Sequence, residues 1–273
     1  YNNLTNNQVN NNKNENGIIL KDESNGNILT NNEAKFNYED GIMLNSGFNI
    51  LTNNIASNNY GNGIRIHDYK HNELINNTAS NNSDNGIELF QSMKNTLIYN
   101  SVSYNGEDGI VLRENSENIL VNNLVIFNKN GFNIHESHSN ELINNVANNN
   151  SNGIQLYYSL YNELINNTAN GNSENGINFF QNSKDNTLKN NIVSNNENGI
   201  QLDYLNWHNK ILNNLATNNK NGFLIKNSQH NIFINNTANK NSIGIIISEN
   251  SVNNTLLEKG FFCFNQEYDY KSF

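Results

Sequence analysis

Proline is absent from all 273 residues of this chain. Proline removes a backbone donor and interrupts a hydrogen-bonded ladder, so its absence suits long uninterrupted sheets. The single cysteine, Cys263, excludes a disulfide within the chain, and there is no Cys cluster for zinc. Arginine is reduced to Arg65 and Arg113, and the formal net charge is -9. The broad basic face that a phosphate backbone requires is therefore missing, and nucleic acid is not an expected partner. No apolar run approaches the ~20 residues of a membrane span, so none is expected. No long polar or charged linker divides the chain, which argues for one elongated domain.

About a quarter of the residues are Asn, and the mean hydropathy is -0.72, a composition that would suit a disordered polar tract. The spacing of the remaining residues argues otherwise. A Gly followed by an apolar residue recurs at Gly17, Gly41, Gly63, Gly86, Gly109, Gly131, Gly153, Gly176, Gly199, Gly222 and Gly244, at intervals of 22 to 24 residues. A fixed period of this length marks a solenoid. Each unit approximates "NGIxLxxSxxNxLINNxAxNNxx", as in "NGIQLYYSLYNELINNTANGNSE" from Asn152 to Glu174. Apolar residues alternate within it, so the segments are strands separated by Asn, Ser and Gly turns. The dense Leu frame of a leucine-rich repeat is missing.

The repeat assigns a direction to every position. With the Gly as position 1, positions 2 and 4 point inward (Phe132 and Ile134 in one unit), joined by a Leu of a second strand (Leu142) and a small residue of a third (Ala147). The predicted fold is all-β: a right-handed parallel β-helix of about eleven coils over residues 1-260, with 261-273 as a cap or tail in which Phe261, Phe262 and Phe264 plug the last coil. One coil cannot bury its own apolar face, so neighbours must. Asn suits the corners because it tolerates left-handed backbone angles, and stacked copies can bond along the axis. Pairs such as Asn76/Asn77, Asn144/Asn145, Asn166/Asn167 and Asn213/Asn214 recur in register. The chain opens in mid-repeat, with Leu4 and Val9 on inward columns, so earlier coils or another domain are expected before it, and an open coil edge would allow end-to-end self-association.

Positions 3 and 5 of the first strand point outward. Position 3 runs Arg65, Glu88, Val111, Asn133, Gln155, Asn178, Gln201, and position 5 runs His67, Phe90, Arg113, His135, Tyr157, Phe180, Asp203. Arg113, His135 and Tyr157 therefore fall on three successive coils roughly 5 Å apart, followed at the turn by Glu114 and Glu136. Arg can neutralise a sugar carboxylate, His can abstract the acidified proton, and Tyr can protonate the opposite face or the leaving oxygen. These three are the candidate catalytic residues. Phe90, Tyr157, Tyr158, Phe180, Tyr204 and Trp207 offer rings for sugar faces, and with Arg65, His67, Glu114 and Glu136 they form the candidate glycan-binding set; the alternative for the rings is packing on one another. His67 and His135 are too far apart to share a metal ion, whereas His135 and His138, with Glu136, could meet around a corner; no soft-ligand cluster emerges from Met43, Met93 and Cys263. Asn76, Asn81, Asn149, Asn166, Asn235 and Asn253 head Asn-x-Ser/Thr triplets that could carry glycans in a secreted chain.

The GIxL and NxLxNN frame resembles the right-handed parallel β-helix superfamily of carbohydrate-binding and sugar-hydrolase domains, including the NosD-like repeats. That superfamily holds polysaccharide lyases, mannuronan epimerases, copper-accessory periplasmic proteins, phage tailspikes and surface proteins without known catalysis, so the resemblance implies fold more than activity. "GFNIHE", residues 131-136, is similar to the active-site strand Gly-Phe-Asp-Pro-His-Glu of mannuronan epimerases; His135 matches, while Asn133 and Ile134 stand where the family has Asp and Pro. The expectation is an extracellular, cell-surface or periplasmic solenoid that presents a face to glycan or protein without catalysis. The alternatives are a lyase or epimerase acting on an acidic polysaccharide, and a NosD-like copper-accessory protein. No cofactor is predicted; Ca2+ and Cu enter only through the relatives.

Overall fold

Alternation of apolar and polar residues over three or four positions makes each segment a short strand, and the 22- to 24-residue period brings equivalent segments side by side. A computed structural model describes residues 2-21, 24-248, 250-257, 262-263, 265 and 268-272. Three parallel sheets run the length of the molecule. The first holds twelve strands, from Ile18–Leu20 to Tyr268–Ser272, and carries the Gly-apolar-x-apolar frame. The second also holds twelve, from Asn3–Thr5 to Thr255–Leu257, and the third eleven, from Glu33–Lys35 to Phe262–Cys263. Every pairing is parallel and in repeat register, so Phe132 lies beside Ile110 and Ile154, and Leu142 beside Leu120 and Leu164.

The lumen is apolar. Phe132, Ile134, Leu142 and Ala147 of one coil, with their equivalents in the inner coils, are fully buried, whereas Leu4, Val9, Ile247 and Leu256 at the two ends are only partly so. Each such Leu or Ile contributes about 1.5–3 kcal/mol relative to exposure. The repeat Gly is required by close approach: a Cβ on Gly131 would lie 2.5 Å from the Gly153 carbonyl oxygen and 2.9 Å from Asn150 Nδ2. Phe262–Cys263 pairs with Thr237–Asn239, and Tyr268–Ser272 with Ile243–Ile247, so the last strands extend the third and first sheets. Phe261 and Phe264, expected as a plug, lie outside the described residues.

The asparagines divide their work. In each Asn pair the first residue takes a left-handed conformation at an exposed corner (Asn144, φ 55°; Asn166, φ 56°), and the second is buried in a ladder. The corners are not reserved for Asn: Phe36, Tyr104, Phe127, Tyr158 and Tyr204 also have φ between 49° and 61°. Asn145 Nδ2 donates to Leu120 O (2.8 Å) and Asn167 Oδ1 (3.1 Å), while its Oδ1 accepts from Asn123 N and Nδ2, both at 2.9 Å. Equivalent buried columns run through Asn95, Asn118 and Asn140, and through Asn105, Asn128 and Asn150. The Asn-x-Ser/Thr triplets follow from this template. A left-handed corner, a ladder residue and the first residue of a strand read Asn-Asn-Thr at Asn76, Asn166 and Asn235.

Candidate functional site

A fourth ladder occupies the position before the repeat Gly, on the edge of the first sheet. From Asn62 onward each Nδ2 here donates to the preceding coil, as in Asn152 to Asn130 (3.0 Å), Asn175 to Asn152 (2.7 Å) and Asn198 to Asn175 (2.9 Å). In two coils the Asn is replaced by Asp40 and Asp108. A carboxylate lacks the N–H that would continue the ladder, so the Asn column is interrupted twice for reasons the fold does not supply. Asp108 Oδ1 still accepts from Asn130 N and Nδ2, at 3.0 and 2.8 Å. Its second oxygen accepts from Asn133 Nδ2 at 2.6 Å. Asp40 Oδ1 accepts likewise from Asn62, at 2.7 and 3.0 Å. Burial pushes the Asp40 carboxyl above the usual range and Glu88 adds to this, against the hydrogen bonds from Asn62 and the charge of Arg65.

Glu88 joins the two coils. It points outward at position 3 yet is only 5% exposed. The side chains around it account for the burial: Arg65 Nε lies 3.2 Å from Oε2, Arg113 Nη1 3.9 Å from Oε1, and Asn62 Nδ2 3.3 Å from Oε2. Position 3 is thus not uniformly wet as its outward direction implied; Val111, Asn178 and Leu224 are also buried. Asn133 Oδ1, His135 Nδ1 and Asn178 Oδ1 are buried with no hydrogen-bond partner.

The structure brings Arg113, His135 and Tyr157 onto one column, in register on adjacent strands. The His135 and Tyr157 rings stack at 4.8 Å and 7°. Phe180 continues the stack at 5.8 Å, and His67 stacks on Phe90 at 5.0 Å in the earlier coils. Rings in this column spend their faces on one another. Tyr158 and Tyr204, at the following corner, stand nearly perpendicular to Tyr157 and Phe180 and remain 43% and 51% exposed. With Gln181, Asn182 and Leu205 they line an open cleft of about 300 Å³. Glu114 and Glu136 occupy the same corner column in earlier coils, with Glu136 Oε1 4.0 Å from His135 Nε2. Trp207 is set apart: it bridges to Gln229 in a turn beyond the strand and holds Lys184 over its ring at 5.0 Å.

Sequence reasoning passed over Asp40, Asp108 and Glu88. The signal for the first two was legible, since eight of the other coils have Asn before the Gly; for Glu88 nothing in the repeat foretold that both arginines would converge on it. Among the described residues no three His, Cys, Asp or Glu side chains come together as a metal site, so His135, Glu136 and His138 do not form one. No helix among those residues is long and apolar enough to cross a membrane.

Residues 1–147 match the family model described as right handed beta helix region, and residues 125–268 match that of the periplasmic copper-binding protein (NosD). Among the described residues the dispersed His and Met side chains do not fit a closed copper centre. No curated protein matches the chain. Among solved structures, the periplasmic alginate epimerase AlgG is similar over 91% of this chain and 71% of its own, with 14% identity and a TM-score of 0.64. The Azotobacter vinelandii mannuronan C-5 epimerase AlgE4 A-module covers 96% and 88%, with 15% identity and a TM-score of 0.55. Pectate lyase Pel9A covers 88% and 70%, with 14% identity and a TM-score of 0.57. At these identities the likeness is one of fold, shared with polysaccharide epimerases and a lyase. Three parallel sheets wound on a common apolar lumen, and a family model spanning more than half of the sequence, show that this chain belongs to the right-handed parallel β-helix family.

Proposed function

We propose that the outward face of the first sheet binds a glycan chain laid along the solenoid, and that the protein acts outside the cytoplasm as a non-catalytic binding surface. The observation that carries this reading is the cleft between Tyr158 and Tyr204. Two exposed rings two coils apart, roughly 10 Å by strand spacing, flank the amides of Gln181 and Asn182. Aromatic surface for a sugar ring beside amides for its hydroxyls is the usual composition of a carbohydrate site. The β-helix fold of polysaccharide-active proteins and the periplasmic description of the NosD model agree with it. The test is binding to a glycan panel. Tyr158→Ala with Tyr204→Ala abolishes retention, whereas Tyr99→Ala, an exposed corner ring elsewhere, leaves it intact; equal loss from both refutes the assignment.

A second reading follows from the single column of Arg113, His135 and Tyr157: an epimerase or lyase in which Arg113 neutralises a uronate carboxylate, His135 takes the C-5 proton, and Tyr157 gives a proton to the opposite face of C-5 in epimerisation or to the leaving glycosidic oxygen in elimination. Incubation with alginate, pectate and hyaluronan, followed by absorbance of unsaturated products and C-5 proton exchange, tests it. Activity lost in His135→Ala supports it, and silence across the panel retires it.

A further inference from the structure

We infer that the glycan taken by this face is an uncharged, extended ribbon of β-1,4-linked sugars, met at one sugar per coil; the inference rests on the glycan reading above and names its ligand class. The corner that follows the first-sheet strand carries Glu136, Tyr158, Gln181, Tyr204 and Asn227 on five successive coils, each in the left-handed region with φ between 42° and 61°. The residues just before them pair in register, Tyr157 with Phe180 and Phe180 with Asp203, so the column rises by one strand spacing per coil. Its middle three members alternate ring, amide, ring. In a β-1,4-linked polymer such as a glucan the equatorial linkages keep the strand flat, advance it by about one strand spacing per sugar, and turn each sugar half a revolution from the last. The first and third sugars therefore offer the same face, and the second the opposite one. With the first and third over Tyr158 and Tyr204, the second lies at Gln181 and Asn182, whose amides both donate to and accept from hydroxyls. A β-1,3- or α-1,4-linked polymer curls, and its third sugar leaves the line of the two rings.

Two local features build this cleft beyond what the winding needs. In coils eight and nine the corner holds a second left-handed residue, Asn182 and Leu205, so that Ser183 follows Ser159 by 24 residues although Phe180 pairs with Tyr157 at 23. A side chain in that region carries strain, which the shorter corners of Tyr158 and Asn227 halve, yet both added residues line the cleft with the tyrosines. Each tyrosine is also braced from behind. Tyr158 meets Tyr157 edge-on at 4.6 Å, and Tyr204 meets Phe180 edge-on at 5.3 Å, so the two rings are held in place before a ligand arrives. The corner column bears no charge from Tyr158 to Asn227. Lys226, on the strand beside it, stands in register with Asp203, and a uronate meets no free cation among the cleft residues. Hydroxyls suffice for these partners.

The experiment is calorimetric titration of the full chain with hexasaccharides. Three are uncharged β-1,4 ribbons, of glucose, mannose and N-acetylglucosamine; the others are β-1,3-glucan, α-1,4-glucan and β-1,4-mannuronan. The tightest of the three ribbons, which names the sugar, is expected to bind about tenfold tighter than any of the others, and its shorter oligomers to gain about tenfold from disaccharide to trisaccharide, where the second ring is first reached. Tyr204→Ala removes that step. Gln181→Tyr with Tyr204→Gln keeps two rings but sets them on adjacent coils, where the ribbon offers opposite faces; it is expected to lose the step as fully, with an unchanged unfolding midpoint. Tyr38→Ala with Tyr60→Ala, exposed rings on adjacent coils elsewhere, leaves the step intact. A step that survives the exchange of Gln181 and Tyr204, or that is lost equally in the Tyr38 and Tyr60 variant, overturns the one-sugar-per-coil register. Equal or tighter binding of either curled glucan overturns the ribbon, and of the mannuronan the lack of charge; in all these cases the glycan reading stands. If no hexamer binds while another sugar of the panel is retained through Tyr158 and Tyr204, this inference alone fails. If no sugar is retained through them, both readings fail.

Discussion

The buried ladder makes a sharp prediction at Asn145, beside its corner partner Asn144. Truncation of Asn145 to Ala keeps its backbone bond to Asn167 Oδ1 but deletes the two bonds its Oδ1 accepts from Asn123 and the two its Nδ2 donates to Leu120 and Asn167. Asn123 N and one Nδ2 proton are left as orphaned donors in a site closed to water. At about 1–3 kcal/mol for each unsatisfied buried group, the expected loss is about 3 kcal/mol. Asn144 is exposed with φ 55°, a conformation glycine adopts without strain, so Asn144→Gly is expected to be nearly neutral. Asn145→Asp preserves shape and acceptors while replacing the amide donors by an oxygen facing Leu120 O, and is expected to cost at least as much as Asn145→Ala. Urea unfolding followed by circular dichroism measures the differences, with hydrogen exchange of the amides of residues 119–148 localising them. If Asn145→Ala falls within about 0.5 kcal/mol of Asn144→Gly, the range of ordinary surface changes, the ladder adds no net stability and the reasoning is refuted.

Gly131→Ala forces a methyl group against the Gly153 carbonyl, and backbone cannot move aside as a flexible side chain would, so a loss of about 1–3 kcal/mol in urea unfolding is expected. Leu142→Ala opens the lumen at a fully buried position and is expected to cost about 2–5 kcal/mol by the same measurement. Asp40 has a folded-state pKa above its unfolded value, so it binds its proton more readily when folded; stability attributable to it is greatest in acid and falls as pH rises through its folded pKa. Asp40→Asn removes that dependence and restores a ladder donor, raising stability at neutral pH by roughly 1 kcal/mol. A pH series of unfolding midpoints on both proteins checks the sign; a variant that is less stable than the parent at neutral pH contradicts it.

Much of the architecture was legible before any coordinates, because a repeat turns sequence separation into spatial adjacency. Once the spacing of Gly109, Gly131 and Gly153 is read, Arg113, His135 and Tyr157 must be vertical neighbours, and Phe132 and Ile134 must face the lumen. The two asparagines of each pair could be recognised as corner residues but not told apart. Their difference lies in a φ angle and in a bond to a residue 22 to 24 positions away. The ring column was legible as a column, whereas its use was not: only the 7° angle between His135 and Tyr157 shows their faces spent on each other, moving the available aromatic surface to Tyr158 and Tyr204.

The sequence by itself determined the winding, the number of coils and the direction of nearly every side chain, since alternation within strands and a constant period leave one parallel arrangement in which all apolar residues are buried. Tertiary structure decided the electrostatics of the outward face. The reach of Arg65 and Arg113 to one glutamate, and the choice of Asp108's second oxygen to hold Asn133, depend on side-chain rotamers across neighbouring coils, and a repeat pattern specifies positions without specifying where long polar side chains come to rest.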